Sequence, residues 1–481
     1  MEISYRPYVD PDLQSLLDRI NPPRVCIDND TCQDCTLVKV DSVNKDGILL
    51  EMVQVLTDLD LVISKSYISS DGGWFMDVFH VTDQLGNKLT EEGLILYIQK
   101  ALCANMGARM SKELETCVKR EVRPPHVSMD YTAVEITGTD RPGLLSEISA
   151  VLSELQCHVT GAVAWTHSSR AACIIYIADG LKGGPITDAN RLSQIEEQLE
   201  NVIEAHHVNG ERRSVRLTTP AASQTHTERR LHQLLYSDLD YELCRGCDVG
   251  GAAHRRDCTK IHVSIEPFKE KGYSVVNLRS RDRPKLLFDT VCALTDMQYI
   301  VFHAAVGSSG MMADQEYFIR PKAGDCTLDT ESGRRKLTKC LIAAIERRAS
   351  HGLRLDISTA DRTGLLSDVT RVLRENGLSI SRTEVGRKGT RVTGSFYVTD
   401  ATGQDVNLHT IELVRNEVGG SILVVNRSSV WTPKVTGTPS AGSISRMSRG
   451  RVVDDKPRFS LASLFWSQLE NISSNFGSIR S

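Results

Sequence analysis

A short pattern of strand, turn and helix occurs four times in this chain of 481 residues, and it constrains the possible folds more than any other feature. The second copy reads Asp140-Arg141-Pro142-Gly143-Leu144-Leu145, and the fourth reads Asp361-Arg362-Thr363-Gly364-Leu365-Leu366. Each copy follows a run of β-type residues and precedes apolar residues at helical spacing. Repetition on this scale predicts a chain assembled from similar structural units.

The other two copies depart from this pattern. Asn44 stands in the aspartate position of the first copy, which continues to Gly47 and Ile48, whereas the third copy keeps Asp282 but has Lys285 in the glycine position. Because lysine adopts positive φ far less readily than glycine, we expect the third turn to have a different backbone. The position four residues further on is acidic in every copy, as suits the first turn of a helix: Glu51, Glu147, Asp289 and Asp368.

Each of these helices is followed by two β-type runs and a second helical pattern, which gives every unit the order β-α-β-β-α. A last strand is visible at residues 215–217 and 421–425, and the complete order is that of a ferredoxin-like split β-α-β unit. The third and fourth units are closely spaced, so we expect residues 353–357 to open the fourth unit and the third to lack a last strand. Since exposed sheet edges are normally paired or covered, we expect the units to pair within one chain.

A ferredoxin-like unit with Asp-Arg-Pro-Gly-Leu-Leu after its first strand resembles the ACT domain, a regulatory amino-acid-binding module. Four such units without a catalytic domain resemble the plant ACT-domain-repeat (ACR) proteins, which are related to the ACT pair of bacterial uridylyltransferase nitrogen sensors. Residues 21–25 and 67–78 support this resemblance. It implies an α+β fold of four ferredoxin-like βαββαβ ACT units packed in pairs. It also implies a non-catalytic regulatory function and a free amino acid as ligand, with glutamine the first candidate.

The spacing of the repeats divides the chain into units and polar segments. The expected order is an N-terminal extension (1–35), ACT 1 (36–115), ACT 2 (131–217), a polar insert (218–272), ACT 3 (273–350), ACT 4 (352–431) and a basic, largely disordered C-terminal tail (432–481). Apolar tail residues recur at helical spacing, which predicts a short amphipathic helix: Leu461, Leu464, Phe465, Leu469, Ile472 and Phe476. Such a helix could dock on the domains or lie on a membrane surface.

The composition argues against several classes of protein. A net charge of −4 gives no reason to expect nucleic-acid binding, which favours basic domains. No apolar run reaches the length of a membrane-spanning helix, and the N-terminus lacks the pattern of a secretory signal. Thirteen scattered cysteines indicate reduced thiols, so we expect a cytoplasmic and/or nuclear protein. Without a phosphate-binding loop, a nucleophile elbow or a His-Glu-x-x-His motif, we expect neither an enzyme nor a cofactor.

The repeated turn has the chemistry to bind a free amino acid. The first N–H groups of a helix attract a carboxylate, an aspartate attracts an ammonium group, and glycine permits close approach. Aspartate as a helix cap and glycine as a turn residue would give the same pattern without a ligand. By the resemblance, ligand-binding residues are expected at Asp140, Arg141, Pro142, Gly143, Leu144 and Leu145 and at Asp361, Arg362, Gly364, Leu365 and Leu366, with Asn44, Gly47, Ile48 and Asp282 as weaker sites.

Two groups of cysteines raise the question of a metal. Cys32 and Cys35 form a Cys-x-x-Cys pair, but no second pair lies at ligand spacing nearby, so they are interpreted as ordinary thiols. Cys244, Cys247, His254 and Cys258 have a spacing near that of a zinc knuckle, and the alternative is an unliganded loop. We assign no metal site from the sequence and leave the second group open.

Two functional hypotheses remain at this point. The first is an amino-acid-binding regulatory protein. The second is a ligand-free interaction scaffold, in which the sheets pair and the tail recruits an unknown protein partner or contacts a membrane peripherally.

Overall fold

The computed structural model describes residues 24–71, 73–105, 131–205, 212–218, 226–242, 261–322, 327–348, 352–418 and 421–425. The strands are β1 Arg24–Asp28, β2 Thr36–Val43, β3 Val62–Asp71, β4 Trp74–Thr82, β5 Thr132–Thr139, β6 Cys157–His167, β7 Arg170–Asp179, β8 Ser214–Thr218, β9 His262–Phe268, β10 Tyr273–Arg281, β11 Tyr299–Ser309, β12 Met312–Pro321, β13 Leu353–Ala360, β14 Leu378–Lys388, β15 Arg391–Asp400 and β16 Ser421–Val425.

The α-helices of the described residues are α1 Ile48–Asp58, α2 Glu92–Asn105, α3 Leu144–Glu154, α4 Ala189–Glu204, α5 Thr227–Ser237, α6 Leu286–Asp296, α7 Glu331–Arg347, α8 Leu365–Glu375 and α9 Leu408–Val418. None of these helices is long and apolar enough to cross a membrane. The expected tail helix lies outside the described residues, and so do the candidate zinc ligands Cys244, Cys247, His254 and Cys258.

The strands form two eight-stranded antiparallel sheets. The first sheet joins the first and third units in the order β1-β2-β4-β3-β11-β12-β10-β9, and the second joins the second and fourth units in the order β16-β13-β15-β14-β6-β7-β5-β8. The units meet where β3 pairs with β11 and where β6 pairs with β14. The expected α+β fold with paired units is confirmed, and the pairs join alternate units instead of neighbours.

The edge strands come from opposite ends of the units. In the second and fourth units, β8 and β16 follow the last helix and pair with the first strand. In the first and third units, β1 and β9 precede the first strand and pair with it. As expected, no described strand of the first sheet follows the last helix of the third unit, and β9 fills the edge position from within the range assigned to the insert. Strand β1 likewise lies in the range assigned to the N-terminal extension, and β13 opens the fourth unit as expected.

Helices cover one face of each sheet. Helices α1, α2, α6 and α7 enclose one apolar core with the first sheet, and α3, α4, α8 and α9 enclose another with the second. On α3, for example, Ile148 and Leu152 are completely buried. Burying a side chain of this size contributes about 1.5–3 kcal/mol, so the apolar stripes seen in the sequence account for the attachment of the helices.

Helix α5 of the insert connects the two halves of the molecule. Its residues Leu231, Leu234 and Leu235 are buried against the other face of the second sheet, where they meet Trp165 and Ile174. The same helix also contacts α6 and α7, which belong to the third unit. The segment expected to be a polar insert therefore contains the contact between the two pairs of units.

Candidate ligand pocket between the second and fourth units

All four turns have the same backbone conformation. The residue before each helix has positive φ, which is 87° at Gly47, 85° at Gly143, 66° at Lys285 and 78° at Gly364. The expectation that Lys285 would change the third turn is wrong. A left-handed conformation costs a non-glycine residue about 1–2 kcal/mol. Lys285 also forms an ion pair with Glu228 at 2.8 Å, so the third turn keeps the left-handed conformation while its side chain binds helix α5.

The arginine of the motif binds the acidic residue that follows it in the helix. Arg141 donates to both carboxylate oxygens of Glu147, at 2.8 and 2.5 Å. Arg362 lies 2.5 Å from Asp368 in the same way. A paired arginine and carboxylate fix each other's orientation, so the acidic position stabilises the turn in addition to matching the helix dipole. The guanidinium of Arg141 is thus already engaged within its own unit.

A pocket opens where the turn of the second unit faces the fourth unit. The turn contributes Asp140, Gly143 and the start of α3, while β6 and β7 contribute residues such as Thr166. The enclosed space is small, and the pocket is partly open to solvent. The fourth unit closes the other side with residues of α8 and β14, namely Thr370, Arg374, Leu378, Ile380, Ser381 and Arg382.

Asp140 is the acidic group of this pocket. Burial raises the pKa of its carboxyl to about 6, and a hydrogen bond from Thr166 limits the increase. The Thr166 hydroxyl also donates to the backbone oxygen of Ser381, at 3.1 Å. Because one hydroxyl has a single proton to donate, it cannot satisfy both acceptors at once. The backbone N–H of Arg141 also donates to this half-buried carboxylate, whose two oxygens can accept a further donor such as an ammonium group.

Two arginines of the fourth unit supply positive charge. Arg382 lies with its guanidinium carbon 5.7 Å from the ring centre of Trp165 and 5.5 Å from that of Tyr397. Burial lowers the pKa of Arg382, although the group remains a cation at any physiological pH. The side chain of Arg374 crosses the turn, since a Cβ added at Gly143 would lie 2.9 Å from its Cδ. The pocket thus has an acid on one side and cations on the other.

The matching turn of the fourth unit has a different environment. Asp361 lies 3.3 Å from His158 and 3.2 Å from Arg387, so its carboxylate already has two basic partners. Gly394 takes the position that Cys173 has in the hairpin of the second unit, and a Cβ added there would lie 3.0 Å from the ring of Phe396. The two turns share a backbone shape but offer different chemistry.

The first and third turns belong to the other sheet. Asn44 donates its backbone N–H to Gly73 and carries no charge. Burial raises the pKa of the Asp282 carboxyl. Helix α5 contacts the third turn through Glu228, which binds Lys285 at 2.8 Å. Of the remaining candidate residues, Leu144 and Leu145 are buried and line the pocket, Ile48, Leu365 and Leu366 are buried away from it, and Pro142 is exposed.

A buried ionic cluster joins the pocket to α5 and the third unit. Arg348 donates to Asp289 at 2.7 and 2.8 Å and to Glu228 at 3.1 Å. Although burial opposes ionisation, Arg348 holds the pKa of Asp289 far below its usual range. The guanidinium carbon of Arg348 lies 4.9 Å from the ring centre of Trp165, and Arg382 donates to the backbone oxygen of Arg348 at 3.2 Å. One wall of the pocket therefore rests directly on the contact between the two pairs of units.

Comparison with known proteins agrees with this architecture. The family model of the ACR family N-terminal ACT domain matches residues 31–109, and ACT domain models match residues 131–208 and 354–419. The chain is 54% identical to the ACT domain-containing protein ACR1 of Arabidopsis thaliana, with 100% of both chains covered. The chain belongs to the ACR family of ACT-domain proteins. This confirms the resemblance inferred from the repeated turn.

This ACR protein is also similar to a second protein along most of its length and to a third along a limited part. It is 50% identical to the ACT domain-containing protein ACR3 of Arabidopsis thaliana, over 91% of this chain and 95% of that one. A more distant match is the bifunctional uridylyltransferase/uridylyl-removing enzyme of Azospirillum brasilense, at 29% identity. That match covers 29% of this chain and 16% of the enzyme, so it concerns a limited part of both proteins.

Sequence reasoning found the half of the pocket that the second unit supplies and missed the half from the fourth. Asp140 and Gly143 are recognisable because they sit in the repeated turn. Arg374 lies in the helix after the fourth copy of the turn and Arg382 in the following strand, so neither belongs to the motif itself. The expectation of paired units was the sequence signal that could have indicated these arginines. When two units pair through their strands, side chains of one unit can lie beside the turn of the other.

Proposed function

We propose that this ACR protein is a regulatory protein that binds a free amino acid in the pocket between its second and fourth units. The observation that carries the proposal is the composition of that pocket, where the Asp140 carboxyl, the start of α3 and the Arg382 guanidinium meet. The membership of the chain in an ACT-domain family supports a regulatory function.

Each charge of an amino acid has a counterpart in this pocket. The ammonium group binds the Asp140 carboxylate, which is half-buried and can accept a further donor. The carboxylate binds N–H groups in the first turn of α3 other than that of Leu144, which donates to the backbone oxygen of Arg141 at 3.2 Å. Both partners are held on rigid elements before the ligand arrives, which limits the ordering cost of binding.

The side chain of the ligand then extends along β14. Arg382 can donate to a side-chain carbonyl or carboxylate, and Ser381 lies next to it. Glutamine is the first candidate, both through the related ACT pair of uridylyltransferases and because its amide oxygen can accept from Arg382. Aliphatic amino acids would gain no hydrogen bond from Arg382, so we expect them to bind more weakly.

Calorimetric titration of the full chain with each of the twenty amino acids tests the proposal. We expect saturable binding of glutamine or of another amino acid with a hydrogen-bonding side chain. A flat response to all twenty would reject the proposal and favour the ligand-free scaffold.

A matched pair of variants locates the site. Gly143→Val and Gly47→Val both place a branched residue at positive φ, which costs about 1–3 kcal/mol of stability in each case. A Cβ at position 143 meets Arg374, whereas a Cβ at position 47 has no atom within 4 Å. We therefore expect lost binding in the first variant and retained binding in the second. Equal affinity in both would place the ligand elsewhere.

A further inference from the structure

The loop between β1 and β2 brings two thiols into contact. The thiol of Cys35 points at the sulfur of Cys32, with the two sulfur atoms 3.0 Å apart. A disulfide bond is about 2.05 Å long, so bond formation requires the sulfurs to approach by roughly 1 Å. No metal-binding cluster of three or more His, Cys, Asp or Glu side chains includes this pair among the described residues.

The two thiols differ in chemical character. Cys32 is partly exposed, whereas Cys35 is only 6% exposed. Although burial opposes it, hydrogen bonds from Cys35 and from the backbone N–H of Asp34 lower the pKa of Cys32. Burial raises the pKa of Cys35 to about 12. A partly exposed thiol with a lowered pKa beside a buried thiol with a raised pKa is the arrangement of an attacking and a resolving cysteine.

The loop that carries these cysteines is anchored on both sides. Asn29 donates to the backbone oxygen of Leu89 at 2.9 Å and accepts from the hydroxyl of Thr36 at 2.6 Å. Lys88 donates to the backbone oxygen of Asn29 at 2.8 Å. These bonds tie the loop to the segment before α2, so the two sulfurs are held together by the fold as well as by their spacing in sequence.

We propose that Cys32 and Cys35 form a thiol–disulfide switch that reacts with small disulfides such as oxidised glutathione. The Cys32 thiolate attacks one sulfur of oxidised glutathione, the bond between the two glutathione sulfurs breaks, and the released glutathione thiolate takes a proton from water. Cys35 then gives its proton to water and attacks the Cys32 sulfur of the mixed disulfide. The second glutathione thiolate leaves and is protonated. The protein dithiol is oxidised to a disulfide, and one oxidised glutathione is reduced to two glutathione molecules.

The product would constrain the turn between edge strand β1 and its neighbour β2. Strand β1 completes the first sheet, so oxidation is expected to slow the opening of this edge. This consequence is independent of amino-acid binding, which concerns the second sheet.

The test uses the full chain incubated with mixtures of reduced and oxidised glutathione, followed by alkylation of free thiols and peptide mass spectrometry. We expect the wild type to form a Cys32–Cys35 disulfide with no lasting glutathione adduct. Cys35→Ser should accumulate a glutathione adduct on Cys32, because no resolving thiol is present. Cys32→Ser should lose the disulfide and leave Cys35 unmodified. Cys26→Ser changes an exposed cysteine of β1 and should behave as wild type.

Several outcomes would overturn the proposal. The wild type could remain a dithiol in every mixture, or the Cys35→Ser variant could carry no adduct on Cys32. Stoichiometric zinc that is bound by the wild type and lost in both variants would instead make the pair part of a metal site.

Discussion

Arg348→Met tests the ionic cluster that joins the two pairs of units. The side chain of Arg348 is 4% exposed, and it pairs with Asp289 and Glu228. Removing one partner of a buried ion pair typically costs about 3–5 kcal/mol, because the remaining charge stays buried without its counter-ion. Methionine keeps most of the volume, so the substitution removes charge with little change in packing.

The remaining contacts of the Asp289 and Glu228 carboxylates narrow the expected loss of unfolding free energy. Asp289 keeps Arg283 at 2.8 Å and His232 at 2.9 Å, and Glu228 keeps Lys285 at 2.8 Å. Neither carboxylate is therefore left without a donor, which favours the lower end of the range. The contact with the ring of Trp165 is lost as well, which is worth up to about 2 kcal/mol when desolvated. We expect a total loss of about 3–5 kcal/mol.

Urea unfolding followed by the fluorescence of the buried Trp165 measures this loss, with the other three tryptophans as background. Arg371→Met is the matched control, because Arg371 pairs with Glu375 at 3.1 Å on the exposed face of α8. Such a surface pair contributes about 0.3–0.5 kcal/mol. A loss below about 1 kcal/mol for Arg348→Met, or equal losses in both variants, would refute the view that the cluster holds the halves together.

Three further predictions concern the ligand. Burial raises the pKa of Asp140 from 3.8 to about 6, so the folded protein holds this proton more tightly than the unfolded chain, and the associated stability is lost as pH rises through this range. An ammonium ligand prefers the ionised carboxylate, so calorimetry should show the affinity increasing as pH rises through about 6. Asp140→Asn should bind more weakly, with an affinity that does not change with pH. A wild-type affinity that is independent of pH would count against Asp140. Titration should saturate at no more than two ligands per chain, with the tighter site at the second unit because His158 and Arg387 already engage Asp361; four equivalent sites would contradict this. A chain ending near Trp431 should bind the amino acid unchanged, and altered affinity would show that the tail takes part.

Local features of this fold were predictable because they depend on neighbouring residues. Gly143 and Gly364 mark turns with positive φ, and the apolar stripe of α3 identifies its buried face. Lys285 shows the limit of this reasoning, since it has a φ of 66° although lysine disfavours positive φ. A backbone preference of about 1–2 kcal/mol is easily overridden by packing of the unit around it.

The order of the units in the sheets depends on contacts between distant residues. Val163 of β6 pairs with Glu384 of β14, and no local pattern in either strand identifies the other as its partner. The short strand Arg24–Asp28 is equally inconspicuous, although it completes the first sheet. Arg382 could not be assigned to the pocket for the same reason, because its position there follows from the pairing of units.

Hydrogen–deuterium exchange of the full chain, with and without the amino acid selected by calorimetry, tests the central claim most directly. We expect slower exchange at residues 140–147 and 378–382, where the ligand would bridge the second and fourth units, and little change at residues 44–48. Slower exchange confined to the first or third turn would contradict the assignment of the ligand to this pocket. Saturable binding without slower exchange at any of these residues would contradict it as well.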